Sequence, residues 1–489
     1  MPLSYDNNKE LINSLRRILP SESVLSDAEE MRPFECDGLS VYRQLPMIVV
    51  LPEDISQVQN IMRLCHAHKV PVVARGAGTG LSGGALPLAD GVLLSLAKFK
   101  RILNIDPNNA MATVQPGVRN LAISEAAAPY GLYYAPDPSS QIACTIGGNV
   151  AENSGGVHCL KYGLTVHNIL MLKVVTVDGD LLTIGSETLD SAGYDLLALM
   201  TGSEGLLGII VEVTVKLLAK PERTQVVLAA FDDVIKAGEA VGAIISAGII
   251  PAGLEMMDKL AIQAAEDFVH AGYPRDAEAI LLCELDGTNA EVSEHIATIR
   301  KILTYSGATE VRTAVDEAER QLFWKGRKSA FPAVGRISPD YYCIDGTIPR
   351  HQLPHVLRRI GEMSAEYKLQ VANVFHAGDG NLHPLILFDA NKPGELANTE
   401  ALSQRILQLC VEVGGTISGE HGVGIEKIDA MCFQFQSAEL SQFHSVKAAF
   451  DPHGLLNPGK AVPSLHRCAE FGAMHVHDGQ LRHPELERF

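Results

Sequence analysis

Two short segments carry the residues best suited to chemistry. In VANVFHAGDGNLHPLILF (371–388), two apolar runs flank Asp379-Gly380, a dipeptide favoured in two-residue type I′ hairpins. A turn centred there sets Gly378 against Asn381, Ala377 against Leu382 and His376 against His383. Directly opposed residues have Cβ atoms ~5 Å apart on one face, a spacing at which two imidazoles can share one metal ion. The second segment, TISGEHGVGIEK (416–427), sets Glu420-His421 between Gly419 and Gly422. If the glycines let this loop approach the hairpin, Glu420 completes a His/His/carboxylate set with open coordination positions. Two imidazoles and a carboxylate suit Zn, Mn or Fe. His421 is then a free imidazole beside the cation, with an expected pKa near neutrality that suits general-base work. A satisfied core histidine and a polar turn are the plain alternatives.

Upstream lies a different kind of chemistry. VVARGAGTGLSGGAL (72–86) contains Gly78-Thr79-Gly80-Leu81-Ser82-Gly83, the GxGxxG of a dinucleotide-binding turn. A Rossmann unit needs a helix after the third glycine and an acidic residue ending the next strand. Here Pro87 and Gly91 occupy the helix position and the strand-like GVLLSL follows at once. The stretch is therefore read as a nest of backbone N–H groups for a pyrophosphate, with Arg75 at its mouth adding charge. Two further glycine-dense segments, YAPDPSSQIACTIGGNVAENSGG (134–156) and TGSEGLLGI (201–209), suggest a large flat ligand held along its length by main chain.

The elements that must position these residues are legible in outline. Between Met47 and Leu218, runs at 47–52, 70–75, 91–96, 111–117, 171–185 and 207–218 read as strands, and Ile55 to His68 and Val118 to Tyr130 as helices. Lys220-Pro221-Glu222-Arg223 opens a second α+β region that runs to about Ile428, and FDPHGLLNPGK (450–460) is a turn-rich closing stretch. The 489 residues exceed one ordinary core. A formal net charge of −18 argues against nucleic acid or a strongly anionic membrane surface as partner. The 9 cysteines are scattered without a CxxC pair, which fits reduced thiols in a cytosolic protein and gives this chain no iron–sulfur cluster of its own. No signal peptide is expected, and Ala240 to Leu254, broken by glycines and Pro251, is shorter than the ~20 residues a membrane span needs.

RGAGTGLSGGAL, PDPSSQIACTIGGNVAENSGGVHCLKYG and GSEGLLGI, in that order and spacing, resemble the FAD-binding domain of the vanillyl-alcohol oxidase/PCMH flavoprotein superfamily. The resemblance implies an α+β fold: a PCMH-type FAD-binding domain of two α+β lobes, and an α+β cap domain with an antiparallel sheet. It implies FAD rather than NAD, contacted by Arg75, Gly76, Ala77, Gly78, Thr79, Gly80, Leu81, Ser82, Pro136, Asp137, Gly147, Gly148, Asn149, Asn153, Gly155, Gly156, Glu204, Gly208 and Ile209. Arg75 to Leu86 contains neither His nor Cys, so the flavin is expected to be non-covalent. The expected division is 1–220 for the N-terminal segment and FAD domain, 221–430 for the cap with the metal site, 431–465 returning to the FAD domain, and a tail at 466–489.

HxGDGNxHP followed by GEHG resembles the second domain of the FAD-linked D-2-hydroxy acid dehydrogenases. Their metal ligands map onto His376, His383 and Glu420, their base onto His421, and their carboxylate-binding arginine onto Arg327 in FWKGRKSAF. Phe331, Cys343 and Leu385 stand where hydroxyglutarate-type relatives place a threonine, a lysine and an asparagine, which points to a small acid, glycolate or D-lactate. ECDGLSVYR, RISPDYYCIDGTIPR, FDPHGLLNPGK and RCAEFGAMHVH extend the similarity to the D-subunit family of the bacterial glycolate oxidases. That family implies a second flavin-domain subunit, an iron–sulfur subunit and quinone as eventual acceptor, with the complex on the cytoplasmic face of the membrane and the tail as a docking segment. A stand-alone D-lactate dehydrogenase of the same family, a non-catalytic flavin-binding scaffold and a nicotinamide dehydrogenase are the competing readings.

Overall fold

The computed structural model describes residues 5–188 and 192–464. The proposed docking tail, with Cys468, Phe471, Met474 and His475, lies outside the described residues. Three sheets organise the chain. The first has the order Val24–Leu25, Ile48–Val50, Val92–Ser95, Val72–Arg75, the last three strands parallel. The helix Ile55–His68 connects two of them. Asp54 caps it by accepting from the Gln57 amide, Lys69 ends it in a left-handed turn, and Val58, Ile61, Met62 and Cys65 form its buried stripe. At ~1.5–3 kcal/mol for each fully buried aliphatic side chain, that stripe fixes the helix on the sheet. Its bounds coincide with those expected from sequence.

The second sheet is antiparallel, in the order Ile102–Asp106, Met111–Val114, Ile209–Lys216, Ile169–Val175, Leu181–Gly185. The single run read at 171–185 is in fact a hairpin, turned at Asp178-Gly179 with Gly179 at φ +81°.

The third sheet has seven antiparallel strands, in the order Glu310–Thr313, Arg223–Phe231, Ala279–Gly287, Gly253–Asp258, Gln370–Phe375, Pro384–Phe388, Asp340–Cys343. Along Arg223–Phe231, Val227, Ala229 and Phe231 enter one core while Val226, Leu228 and Ala230 enter another. Helices Val234–Ser246 and Leu353–Tyr367 cover the first face, and Lys259–Val269 and Ala330–Val334 the second. A strand covered on both sides reads as an unbroken apolar run. The closing stretch returns to the first sheet: the Val72 amide donates to Leu455 O and the Asn457 amide to Val72 O, at 2.7 and 2.9 Å. Seven of the described cysteines are free thiols.

Candidate active site

The strand Val72–Arg75 delivers the chain into a loop that returns only at Val92. No helix follows the glycines, in keeping with the rejected Rossmann reading. Among the described residues, no backbone amide from Gly76 to Ser82 donates to a backbone carbonyl, so this run of N–H groups is free to face a ligand. Opposite it stand Pro138, Ser139, Ser140, Thr145, Gly147, Gly148 and Asn149, and the two walls enclose one cleft. The buried hydroxyl of Thr145, on the cleft wall, has no hydrogen-bond partner, and an unmade buried hydrogen bond costs ~1–3 kcal/mol. A phosphate-bearing cofactor fits such a cradle.

Arg75 lines the cleft while its guanidinium is tied to the protein: Nη1 donates to Cys36 O at 2.7 Å and the group lies 5.8 Å from the Phe34 ring centroid. Gly78, at φ +70°, packs so close that a Cβ there would sit 2.1 Å from Arg75 Nη2. Arg75 braces the loop from beneath.

The histidine hairpin is also built differently from the expected turn. His376 pairs with Asn381, and the loop is the four residues Ala377 to Gly380. Only Gly380 has positive φ, whereas a type I′ turn needs it at both central residues. Asp379 instead accepts the Asn381 amide at 3.0 Å. The register moves by two residues, which preserves the face, so His383 becomes a diagonal neighbour of His376 with ring centroids 5.1 Å apart.

Both imidazoles are buried, at 3 and 2 % exposure. His376 Nε2 and His383 Nε2 lie 3.4 and 3.3 Å from Glu420 Oε1, and one ligand atom from each of the three falls within 4.8 Å of the others. Both ring nitrogens of His383 and Nδ1 of His421 lack a hydrogen-bond partner. Donor atoms so placed fit a divalent cation. Burial opposes the charged Glu420 carboxylate, but His376 and His383 outweigh it and hold it well below the usual range. His421 stacks on His383 with centroids 5.0 Å apart. Burial, reinforced by the charges of His383 and Lys427, pushes it down to about 4. The expected pKa near neutrality is therefore corrected: His421 is a neutral proton acceptor throughout the neutral range.

Two carboxylates shape the Glu420 loop. Asp345, fully buried, accepts the amides of Gly419, Glu420 and His421 at 3.0, 3.1 and 3.0 Å and the Lys427 ammonium at 2.9 Å. With His383 and His421 it forms a second group of metal-ligand geometry. Sequence reasoning gave Asp345 no role; its only signal is the turn-forming Asp345-Gly346. Glu204, expected among the cofactor contacts, lines the cleft but spends its carboxylate on the Val423 and Gly424 amides, each at 2.7 Å.

The cleft gathers Arg75, Gly76, Ala77, Gly78, Thr79, Gly80, Leu81, Gly147, Gly148, Asn149, Glu204 and Gly208 together with His376, His383, Glu420 and His421. Glycine walls and metal-type cluster thus share one space. Ser82, Pro136, Asp137, Asn153, Gly155, Gly156, Ile209 and Arg327 do not line it. Asn153 caps its helix in a left-handed turn and accepts the Val166 amide. Asp137 pairs with His158 at 2.9 Å, and Gly156 packs on Asp137. Pro136 O accepts from Asn120, Ile209 is core, and Gly155 lies behind Glu420. Arg327 is 2 % exposed, its Nη2 lying 2.6 Å from Glu255 Oε2. Phe331, expected at the substrate pocket, lines the cleft, and Asp37, Glu152 and Ser154 line it without having been expected to; the serine and the carboxylates carry no motif that separates them from surface polar residues.

A glycine-walled cradle opening onto a His/His/carboxylate cluster defines a flavoprotein oxidoreductase of PCMH-type fold. In agreement, the FAD binding domain family matches residues 46–185 and the family "FAD linked oxidases, C-terminal domain" matches residues 220–461. Solved structures of p-cresol methylhydroxylase and of the 4-ethylphenol oxidase from Gulosibacter chungangensis superimpose with TM-scores of 0.80 each, at 17 and 18 % identity, covering 95 and 94 % of this chain and 98 % of each of theirs. The glycolate oxidase subunit GlcD of Escherichia coli K12 is 67 % identical over 98 % of this chain and 96 % of its own length; GlcD of Bacillus subtilis is 39 % identical over 87 and 91 %. A D-lactate dehydrogenase of Anaerostipes hadrus is 32 % identical over 94 and 99 %. The chain belongs to the GlcD family of FAD-linked oxidase subunits.

Proposed function

We propose that the chain oxidises a small 2-hydroxy acid, glycolate to glyoxylate and also D-lactate to pyruvate. The observation that carries this reading is the opening of the His376, His383, Glu420 and His421 cluster onto the glycine-walled cleft. When bound, FAD supplies a hydride acceptor and the divalent cation a Lewis acid that lowers the alcohol pKa. His376, His383 and Glu420 hold the cation. His421 receives the hydroxyl proton at Nε2, which lies 3.9 Å from Glu420 Oε1. Arg327, held behind the cleft wall against Glu255 and with its Nε unpartnered, is assigned to the substrate carboxylate. Phe331, with its ring centroid 6.3 Å from that of His383, closes the pocket against a second carboxylate.

In this reading the FAD site falls in residues 1–220 and the substrate and metal site in 221–430. The reduced protein hands its electrons to a second flavin-domain subunit and an iron–sulfur subunit, and through them to quinone. No helix among the described residues is long and apolar enough to cross a membrane, and in this reading the chain is attached to the cytoplasmic face through those partners. The family members named D-lactate dehydrogenase favour a second reading, a self-sufficient D-lactate dehydrogenase.

Anaerobic mixing of the purified flavin-loaded chain with a panel of 2-hydroxy acids tests the proposal. Flavin absorbance should bleach with glycolate and D-lactate and persist with D-2-hydroxyglutarate. Absorbance that survives every acid would refute it. Turnover of D-lactate with quinone that does not rise when partner subunits are added would select the second reading.

A further inference from the structure

One buried carboxylate beside the cluster has no part in the reaction described above. Glu255 lies on the strand Gly253–Asp258 at 1 % exposure, between the core residues Leu254 and Met256. Its two oxygens face different partners: Oε1 lies 2.8 Å from His376 Nδ1 and Oε2 2.6 Å from Arg327 Nη2. We propose that Glu255 is a positioning residue that sets the metal-facing tautomer of His376 and the aim of Arg327 together. The inference rests on the function proposed above and deepens it.

The argument is one of atoms. An imidazole whose Nδ1–H is held by a carboxylate carries its lone pair on Nε2. In His376 that nitrogen is the one 3.4 Å from Glu420 Oε1. A ring free to turn or to change tautomer would at times present a proton in place of a lone pair to the cation; Glu255 removes that freedom. On the other oxygen, Arg327 is held by an ion pair through Nη2 without hydrogen-bond geometry, and Nε is left without a partner, so the guanidinium, behind the cleft wall, keeps donors for an incoming carboxylate.

Stability alone does not account for this arrangement. A buried ion pair is often matched or bettered by apolar side chains of similar volume, and Leu254, Met256 and Met257 show that the strand accepts them. The neighbouring strand supplies a contrast. Glu284, 3 % exposed, is tied to His158, Arg320 and the Trp324 indole and touches neither the cluster nor Arg327.

The test compares flavin-loaded wild type, Glu255→Gln and Glu284→Gln. Bound zinc or manganese is measured across a chelator series, bound flavin by absorbance, and glycolate kinetics with an artificial electron acceptor. Glu255→Gln should keep its flavin and lose about 10–100-fold in metal affinity. Saturating metal should then restore kcat and leave the glycolate KM raised by roughly tenfold, because Arg327 is still released. Glu284→Gln should move neither quantity. Metal affinity and KM both within twofold of wild type in Glu255→Gln would overturn the inference, and a change in only one would overturn the double role. If Glu255→Gln does not fold, Glu255→Asp, which draws the carboxylate back by one methylene, carries the same comparison. Wild type that binds no metal at all is a separate result, which sinks the cation site itself.

Discussion

Replacing His421 by Asn removes the proposed proton acceptor while keeping a polar side chain of similar reach. Positioned bases contribute about 10²–10⁴ in rate, or roughly 2.7–5.5 kcal/mol of barrier. The flavin cradle is built by other residues, so FAD should remain bound. The structure also sets the pH dependence. With His421 pushed down to about 4, roughly 3 % of the imidazole is protonated at pH 5.5, against roughly 90 % for an unshifted histidine. A cation bound to His383 moves the value further in the same direction. The limiting rate of flavin reduction by glycolate in anaerobic stopped flow should therefore fall by well under twofold between pH 8 and 5.5, rather than by about tenfold. His421→Asn should lose at least about a hundredfold across that range. A wild-type rate that halves near pH 6.5, or a flavin-loaded His421→Asn keeping more than a tenth of the rate, would refute the assignment.

Three further outcomes follow from the same geometry. Gly422 sits at φ +82° with room for no Cβ, which would meet Glu152 Oε2 at 2.1 Å; Gly422→Ala should cost about 1–3 kcal/mol in thermal unfolding and slow flavin reduction by displacing His421. Burial pushes the Lys460 ammonium from its usual 10.5 down to about 7. Between those values the unfolded chain holds a proton that the folded chain has lost, so stability rises with pH from about 7 upward by at most ~1.4 kcal/mol per unit, and Lys460→Met should flatten that rise in melting temperature. Cys343 and Leu385 are register partners on adjacent strands. The triple variant Phe331→Thr, Cys343→Lys, Leu385→Asn should therefore raise kcat/KM for D-2-hydroxyglutarate relative to glycolate by about tenfold or more; an unchanged ratio contradicts the pocket reading.

What the sequence made legible depended on the range of the interaction. Helix Ile55–His68 is specified by its own cap and stripe, and its bounds were readable to the residue. The glycine loop could be separated from a Rossmann turn because Pro87 and Gly91 forbid the required helix locally. Both histidines were placed on one face even though the register was off by two, because strand alternation survives an even shift. Turn type was not legible, since the Asp379–Asn381 hydrogen bond that selects a four-residue loop leaves no trace in the dipeptide. The partners of charged residues were not legible for the same reason. Arg75, Glu204 and Arg327 each find partners far away in sequence, at Cys36, at Val423 and Gly424, and at Glu255. Asp345 and Glu255 went unnoticed because an acidic residue on a strand reads as surface until packing shows it beneath three amides or between an imidazole and a guanidinium.

The central claim, that a chelated cation and a neutral imidazole face a bound flavin in one cleft, is tested most directly by anomalous scattering from crystals of the FAD-loaded protein grown with zinc or manganese. The account predicts a single strong anomalous peak at about 2.0–2.2 Å from His376 Nε2, His383 Nε2 and a Glu420 oxygen, with His421 beside it, unligated, and the isoalloxazine across the same space. A peak held instead by Asp345, His383 and His421, or a fully loaded flavin with no peak among these residues, would contradict it.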